Sequence, residues 1–264
     1  MQEHARKERV FREELQNALD ESQFRLNFQT FHPLDGGPAI GAESLLRWQH
    51  PTRGLLGPGA FLDSADRFGL MPRIGEWVAR NAAEAAARSG CPLLSINVSP
   101  SELLQPGFAE NFRQTCEAAG IPLQTMMVEI TENTLLTSGP QALAALSALH
   151  SQGVRLALDD FGAGFAALSY LTWIPLNLVK VDRSLLHPPV GETSPAFLEG
   201  VVDLVHKVDA LVLIEGVERQ RELRLCREAG FDLVQGFLLA MPADEDSALA
   251  QFLGDTPAGN GARP

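Results

Sequence analysis

Seven short apolar runs of this chain each finish on residues able to meet a cation, a phosphate or a proton. They end on Glu43 with Arg47, Asn97, Glu129, Asp159 with Asp160, Lys180 with Asp182, Glu215, and Gln235. One polar strand end reads as a solvent-facing terminus. Seven in succession read as the rim of a common site. Five or six carboxylates gathered at one mouth would repel each other and resist ionisation unless cations shared the space. The donors are all oxygen, without histidine or thiolate, which favours Mg²⁺ or Mn²⁺ over zinc. Asp159 and Asp160 are consecutive and could each face a different ion of a two-metal site.

In an extended IGAESLLRW, Glu43, Leu45 and Arg47 fall on one face. The planar guanidinium of Arg47 suits a phosphate, and the plainer alternative is a Glu43–Arg47 ion pair on the rim. Lys180 and Asp182 share a side of NLVKVD. A lysine among carboxylates either balances their charge or holds and orients an attacking water. A rival signal is Gly162-Ala163-Gly164-Phe165-Ala166-Ala167, which fits G-x-G-x-x-A, with Asp182 twenty residues after Gly162. That spacing matches a dinucleotide fingerprint and implies an oxidoreductase. Against it, Asp159 and Asp160 would set two negative charges beside the pyrophosphate, and Glu43, Asn97, Glu129 and Glu215 would have no role.

The elements that must position these groups alternate. Strand-like runs RLNFQTF, IGAESLLRW, LLSINVS, MMVEIT, VRLALDD, NLVKVD, ALVLIEG and DLVQG are separated by helical stretches at 74–90, 105–120, 138–152, 195–208 and 218–229. Eight strands alternating with helices over this length predict an α/β fold, a (β/α)8 barrel. The link FHPLDGGPAI is too short and turn-rich for a helix, so the first two strands are expected to pair as an antiparallel hairpin. Residues 1–19 have helical spacing, with Val10, Phe11, Leu15 and Leu19 on one side. The expected organisation is an N-terminal helix at 1–19, one barrel domain at 20–254 and a disordered tail at 255–264.

Composition narrows the class. The 264 residues are 45% hydrophobic, with 21 Lys plus Arg against 33 Asp plus Glu and a net charge of −12. A sizeable core is possible, and so acidic a surface argues against a nucleic-acid polymer as partner. A small phosphorylated ligand remains compatible, given metals or a few placed cations. Three cysteines without a CxxC pair and six scattered histidines argue against disulfides and structural zinc. No apolar run reaches membrane-helix length and the start MQEHARKER is not signal-like, so a cytoplasmic address is expected.

As a set, these motifs resemble the EAL-type cyclic-di-GMP phosphodiesterases, bacterial domains with a modified TIM barrel. The resemblance runs from about Phe11 to Phe252. Glu43-Ser44-Leu45 stands for the name-giving Glu-Ala-Leu and is followed by LRWQHP. INVS carries Asn97, EITEN carries Glu129 and Glu132, and DDFGAGF carries Asp159 and Asp160. KVDRS holds Lys180 and Asp182, EGVE holds Glu215 and Glu218, and QGFLLAMP holds Gln235. The resemblance implies one metal held by Glu43, Asn97, Glu129 and Asp159, with Asp159 bridging to a second metal beside Asp160. It implies that Glu215 holds or activates the hydrolytic water, that Lys180 positions it, and that Arg47 grips a phosphate. Gln29, Asp182, Glu218 and Gln235 are then expected around the metal site and dinucleotide, with Glu132 bracing the loop after Asp160. The implied reaction is hydrolysis of cyclic-di-GMP to linear 5′-pGpG, in a homodimer joined through the N-terminal helix to an upstream sensor or cyclase. The departures are Ser44 for Ala, Thr30 for Pro, Asn133 for Ser, and DFGAGFAAL for the usual DFGTGYSSL. The altered loop bears on activity and regulation and keeps a second reading open, a receptor that binds the dinucleotide with little hydrolysis.

Overall fold

Alternation of period two is what builds the barrel, because each strand must offer one face to the interior and the other to the helices. A computed structural model describes residues 2–163, 169–188 and 193–253. The tail at 255–264 and the loop positions Gly164 to Leu168 lie outside the described residues. The strands are β1 (Phe24–Pro33), β2 (Gly41–His50), β3 (Gly54–Leu56), β4 (Leu94–Asn97), β5 (Met126–Thr131), β6 (Arg155–Phe161), β7 (Leu178–Val181), β8 (Leu211–Ile214) and β9 (Leu233–Val234). Their order is β1-β9-β8-β7-β6-β5-β4-β2-β3, and an added β1–β2 pairing closes eight of them into a barrel. β1 is antiparallel to both neighbours and aligns Gln29 with Glu43, while β2 and β4 to β9 run parallel around the barrel. The fold is therefore a modified TIM barrel with an antiparallel first strand.

The barrel floor is apolar. Phe31, Leu93, Met127, Ala157, Leu178, Leu213 and Leu233 form a buried cluster separate from the larger barrel–helix core. Gly41 makes room for it, since a Cβ there would fall 2.4 Å from the Phe31 ring and 2.5 Å from the Leu93 carbonyl. One step of the alternation above these residues stand Gln29, Ser95, Glu129, Asp159, Lys180, Glu215 and Gln235, with Glu43 above Gly41. The polar layer thus sits directly over a dry floor.

The structure refines several expected elements. The helix expected from residue 138 spans Glu132–Ser151, with non-helical geometry at Gly139 (φ 59°, ψ −151°) ahead of Pro140. The kink interrupts the apolar period, so only the later part is legible in sequence. β2 continues to His50 and pairs with β3, an added hairpin. In the helix Gln2–Asp20 the inward face is carried by Leu15 and Ala18, with Phe11 on Trp48 (5.7 Å between ring centroids), whereas Val10 is exposed. Glu14 pairs with Arg53 at 2.7 Å, fastening this helix to the β2–β3 hairpin. Among the described residues, no helix is long and apolar enough to cross a membrane. The three cysteines are free and buried, and burial pushes the Cys91 and Cys226 thiols up to about 12.

Candidate active site

Lys180 occupies the centre of the polar layer and is only 1% exposed. Its ammonium lies 2.7 Å from Glu129 Oε2, 2.7 Å from Glu215 Oε1, 3.1 Å from Glu43 Oε2 and 3.3 Å from Asp159 Oδ1. Burial works against that charge, but Asp159, Glu129, Glu215 and Glu43 outweigh it and hold the lysine well above its ordinary pKa. The same cluster divides its carboxylates. Burial opposes the Glu43 charge, yet Lys180 and hydrogen bonds from Asn97 and Gln235 keep its pKa below normal. Asn97 Nδ2 donates to Glu43 Oε1 at 2.8 Å and Gln235 Nε2 to Glu43 Oε2 at 3.0 Å. Burial pushes Glu129 well above its ordinary value despite Lys180, with repulsion from Glu43 and Asp159 adding to it. Burial likewise lifts Glu215 to about 7 against the pull of Lys180.

Asp160 reaches the site by breaking the alternation. It adopts φ +57°, the pairing of β6 with β7 shifts between Leu158 and Phe161, and its N–H donates to Asp159 Oδ1 at 3.0 Å. Left-handed geometry is uncommon outside glycine but most accessible to Asp and Asn. It turns two consecutive carboxylates toward one place: oxygens of Asp159, Asp160 and Glu215 all lie within 4.8 Å of one another. Burial, then Asp159 and Asp182, raise the Asp160 pKa.

This donor set fits divalent cations. Glu129 Oε1 is buried without a hydrogen-bond partner among the described residues. A buried carboxylate oxygen with no donor is costly, and a cation would satisfy it. Four carboxylates around one ammonium, with Asp160 beside them, offer only oxygen and suit a hard divalent cation.

The remaining expected residues divide by position. Gln29, Asp182, Glu218 and Gln235 line an open cleft of about 510 Å³ together with Glu43 and Glu215. Gln29 Nε2 donates to the Ala240 carbonyl at 2.9 Å. Asp182 Oδ1 accepts the Ser184 N–H at 2.8 Å, a turn-capping contact, and Glu218 Oε1 pairs with Arg183 at 3.1 Å. Arg47 donates to the Leu46 carbonyl at 2.9 Å; burial lowers its pKa and Glu43 partly offsets this. Glu132 is buried at the start of its helix, raised by burial and bonded by the Gly162 backbone, so it does touch the segment after Asp160. Ser44 is buried and its Oγ has no partner among the described residues. Sequence reading missed Arg183 and Phe237, which also line the cleft and stand one position after Asp182 in KVDRS and two after Gln235 in QGF. It also missed Glu102, although Ser99 and Glu102 have the S-x-x-E spacing of a capping box immediately after a strand end.

Comparison with known proteins gives a consistent result. The family model for the EAL domain matches residues 12–242. The cyclic di-GMP phosphodiesterase NbdA of Pseudomonas aeruginosa is 33% identical over 255 residues, covering 94% of this chain and 32% of the relative. This chain thus spans about a third of that relative's length. Among solved structures, the EAL enzyme Bd1971 in its cAMP- and cyclic-di-GMP-bound form superposes with a TM-score of 0.87 at 27% identity, covering 94% of this chain and 70% of that one. The PaMucR phosphodiesterase in complex with c-di-GMP superposes with a TM-score of 0.84 at 29% identity, covering 90% and 99%.

Proposed function

We propose that this chain, which belongs to the EAL domain family, is a divalent-metal-dependent hydrolase that opens one phosphodiester bond of cyclic-di-GMP to give linear 5′-pGpG. The observation that carries the reading is the ring of carboxylates around Lys180, with Glu129 Oε1 buried and unpartnered. The relatives' names and ligands support the choice of dinucleotide. Glu43, Asn97, Glu129, Asp159 and Asp160 would hold Mg²⁺ or Mn²⁺, with room in this donor set for two ions. Cations held by these residues would supply polarisation of the phosphate and a more acidic water.

The chain's own residues do the rest. Arg47 anchors a non-bridging phosphate oxygen with its planar fork. Lys180, fixed by its four carboxylate partners, holds the attacking water in line, and Glu215 accepts the proton that water gives up. The water oxygen bonds to phosphorus, the P–O3′ bond breaks, and the 3′ oxygen leaves as a hydroxyl after taking a proton from solvent. Gln29, Asp182, Glu218 and Gln235 line the cleft that receives the dinucleotide, and Glu132 braces the segment after Asp160. The setting in the cell is a cytoplasmic homodimer, with the helix Gln2–Asp20 joining the barrel to an upstream sensor or cyclase.

The receptor alternative is not favoured, because every metal-site carboxylate is retained. The dinucleotide-cofactor reading is not favoured either: the acid it needs on a ribose, Asp182, is engaged in capping Ser184. The test is purified protein with Mn²⁺ and cyclic-di-GMP, followed chromatographically against time. Accumulating 5′-pGpG that stops in chelator and resumes on adding Mn²⁺ is expected. Intact cyclic-di-GMP at saturating Mn²⁺ would overturn the reading.

A further inference from the structure

Asn97 must leave β4 pointing into the barrel mouth, and the turn behind it is held by a side chain with no part in the chemistry above. Glu102 is 4% exposed. Its Oε2 accepts the Ser99 backbone N–H at 2.9 Å and the Ser99 hydroxyl as well. Ser99 Oγ lies 3.1 Å from Ser101 Oγ, which in turn donates to Asp66 Oδ1 at 3.0 Å. Its other oxygen sits against Gly75 of the helix Met71–Ser89, where a Cβ would fall 1.7 Å from Glu102 Oε1. Glycine inside a helix costs about 1 kcal/mol relative to alanine, so the notch opposes helix stability and its use is to seat the carboxyl. Between Ser99 and Asn97, the Val98 N–H donates to the Glu129 carbonyl at 3.0 Å, tying the end of β4 to β5. Asn97 Nδ2 is directed to Glu43, which leaves Oδ1 as the oxygen it can offer a cation.

We propose that Glu102 is a positioning residue for Asn97: its carboxyl, seated in the Gly75 notch, locks the Ser99 turn and so aims the Asn97 carboxamide at Glu43 and the cation. The inference rests on the metal-dependent reading above. A simple cap on the short helix Pro100–Leu103 would need neither a buried carboxyl nor a notch cut into a different helix.

The experiment is calorimetric titration of the metal-free protein with Mn²⁺, comparing parent, Glu102→Ala, Asn97→Ala and the double variant. Glu102→Ala should weaken Mn²⁺ binding about 10-fold, as loss of a ligand's supporting partner does. Asn97→Ala should weaken it at least as much, and the double variant no further than Asn97→Ala alone, because the two act in series. Glu102→Gln keeps an acceptor oxygen and should stay within about 2-fold of the parent. In turnover, Glu102→Ala should lose kcat at limiting Mn²⁺, recover at saturating Mn²⁺, and keep its KM for the dinucleotide. Should Glu102→Ala not fold, Ser99→Ala removes only the hydroxyl partner and enters the same cycle, with a smaller but still non-additive loss. Parental affinity in the single variant, additive losses in the double variant, or a parent that binds no Mn²⁺ would each overturn the proposal. A parent that binds Mn²⁺ without hydrolysing cyclic-di-GMP would instead overturn the phosphodiesterase reading and leave the cycle valid.

Discussion

At the scale of single residues, Lys180 is the counter-charge of the carboxylate ring, and stability measurements separate that role from the water-holding one proposed for it. Removing one partner of a buried charge cluster leaves the other charges uncompensated, typically at a cost of about 3–5 kcal/mol. Lys180→Met should therefore lower the urea midpoint strongly in metal-free buffer, with partial recovery in Mn²⁺ as cations replace the ammonium. Asp159→Asn removes one of the mutually repelling carboxylates, so it should keep near-parental stability while abolishing hydrolysis. Equal midpoints for Lys180→Met and parent would refute the counter-charge role. Ser44 presents the opposite case, a buried hydroxyl with no partner among the described residues, at the place of the alanine in the Glu-Ala-Leu text that the segment resembles. Ser44→Ala should stabilise the protein by about 1 kcal/mol with kcat unchanged, as deleting an unsatisfied donor does. A destabilised variant would show that the hydroxyl has a partner in solution.

At the scale of elements, the floor of the barrel and the turn after β4 make distinct demands. Gly41 faces Phe31 so closely that any side chain must displace the ring. Gly41→Ala should cost about 1–3 kcal/mol by overpacking, read as a lower melting temperature, and a parental melt would mean that the ring moves freely. The Glu102 turn adds a pH dependence. Burial lifts its carboxyl to about 7 from an ordinary 4.5, Ser99 opposes this and Asp66 reinforces it. The folded chain then binds the proton more tightly than the unfolded chain. The stability this group contributes is present below pH 4.5 and is lost as pH rises through 7, amounting to about 3 kcal/mol at most. Glu215 titrates with the same sign in metal-free protein, so the comparison is with Glu102→Gln. Across that window the variant should gain stability relative to the parent, and parallel pH profiles would show that Glu102 is ionised throughout.

At the scale of the whole molecule, metal binding should couple to folding, because the carboxylate ring assembles only when eight strands close. Mn²⁺ at 100 times its dissociation constant should add about 2.7 kcal/mol. For a domain of this size that is a rise of roughly 5–10 °C in melting temperature, reversed by chelator. Ca²⁺ should stabilise as well yet support little turnover, since it accepts longer and looser coordination. A melting temperature indifferent to Mn²⁺ and Ca²⁺ would remove the metal site from this barrel mouth.

The eight strands, the antiparallel first pair and the residues gathered at the mouth were legible in sequence, because all three depend on local pattern. Alternation with period two makes a strand, a turn-rich link of ten residues forbids a crossover helix, and polar residues two positions beyond an apolar floor residue must sit above it. What depends on distant chain segments was not legible. Asp160 lies one position off the alternation, and only the register shift against β7 with its left-handed backbone turns it to Asp159. Four carboxylates from β2, β5, β6 and the end of β8 converge on Lys180, and the lowered pKa of Glu43 against the raised ones of Glu129 and Glu215 comes from burial and spacing that no local window contains. Gly75 and Glu102 lie 27 residues apart, each ordinary in its own helix, and only the packing of one helix on the other makes a notch and its occupant.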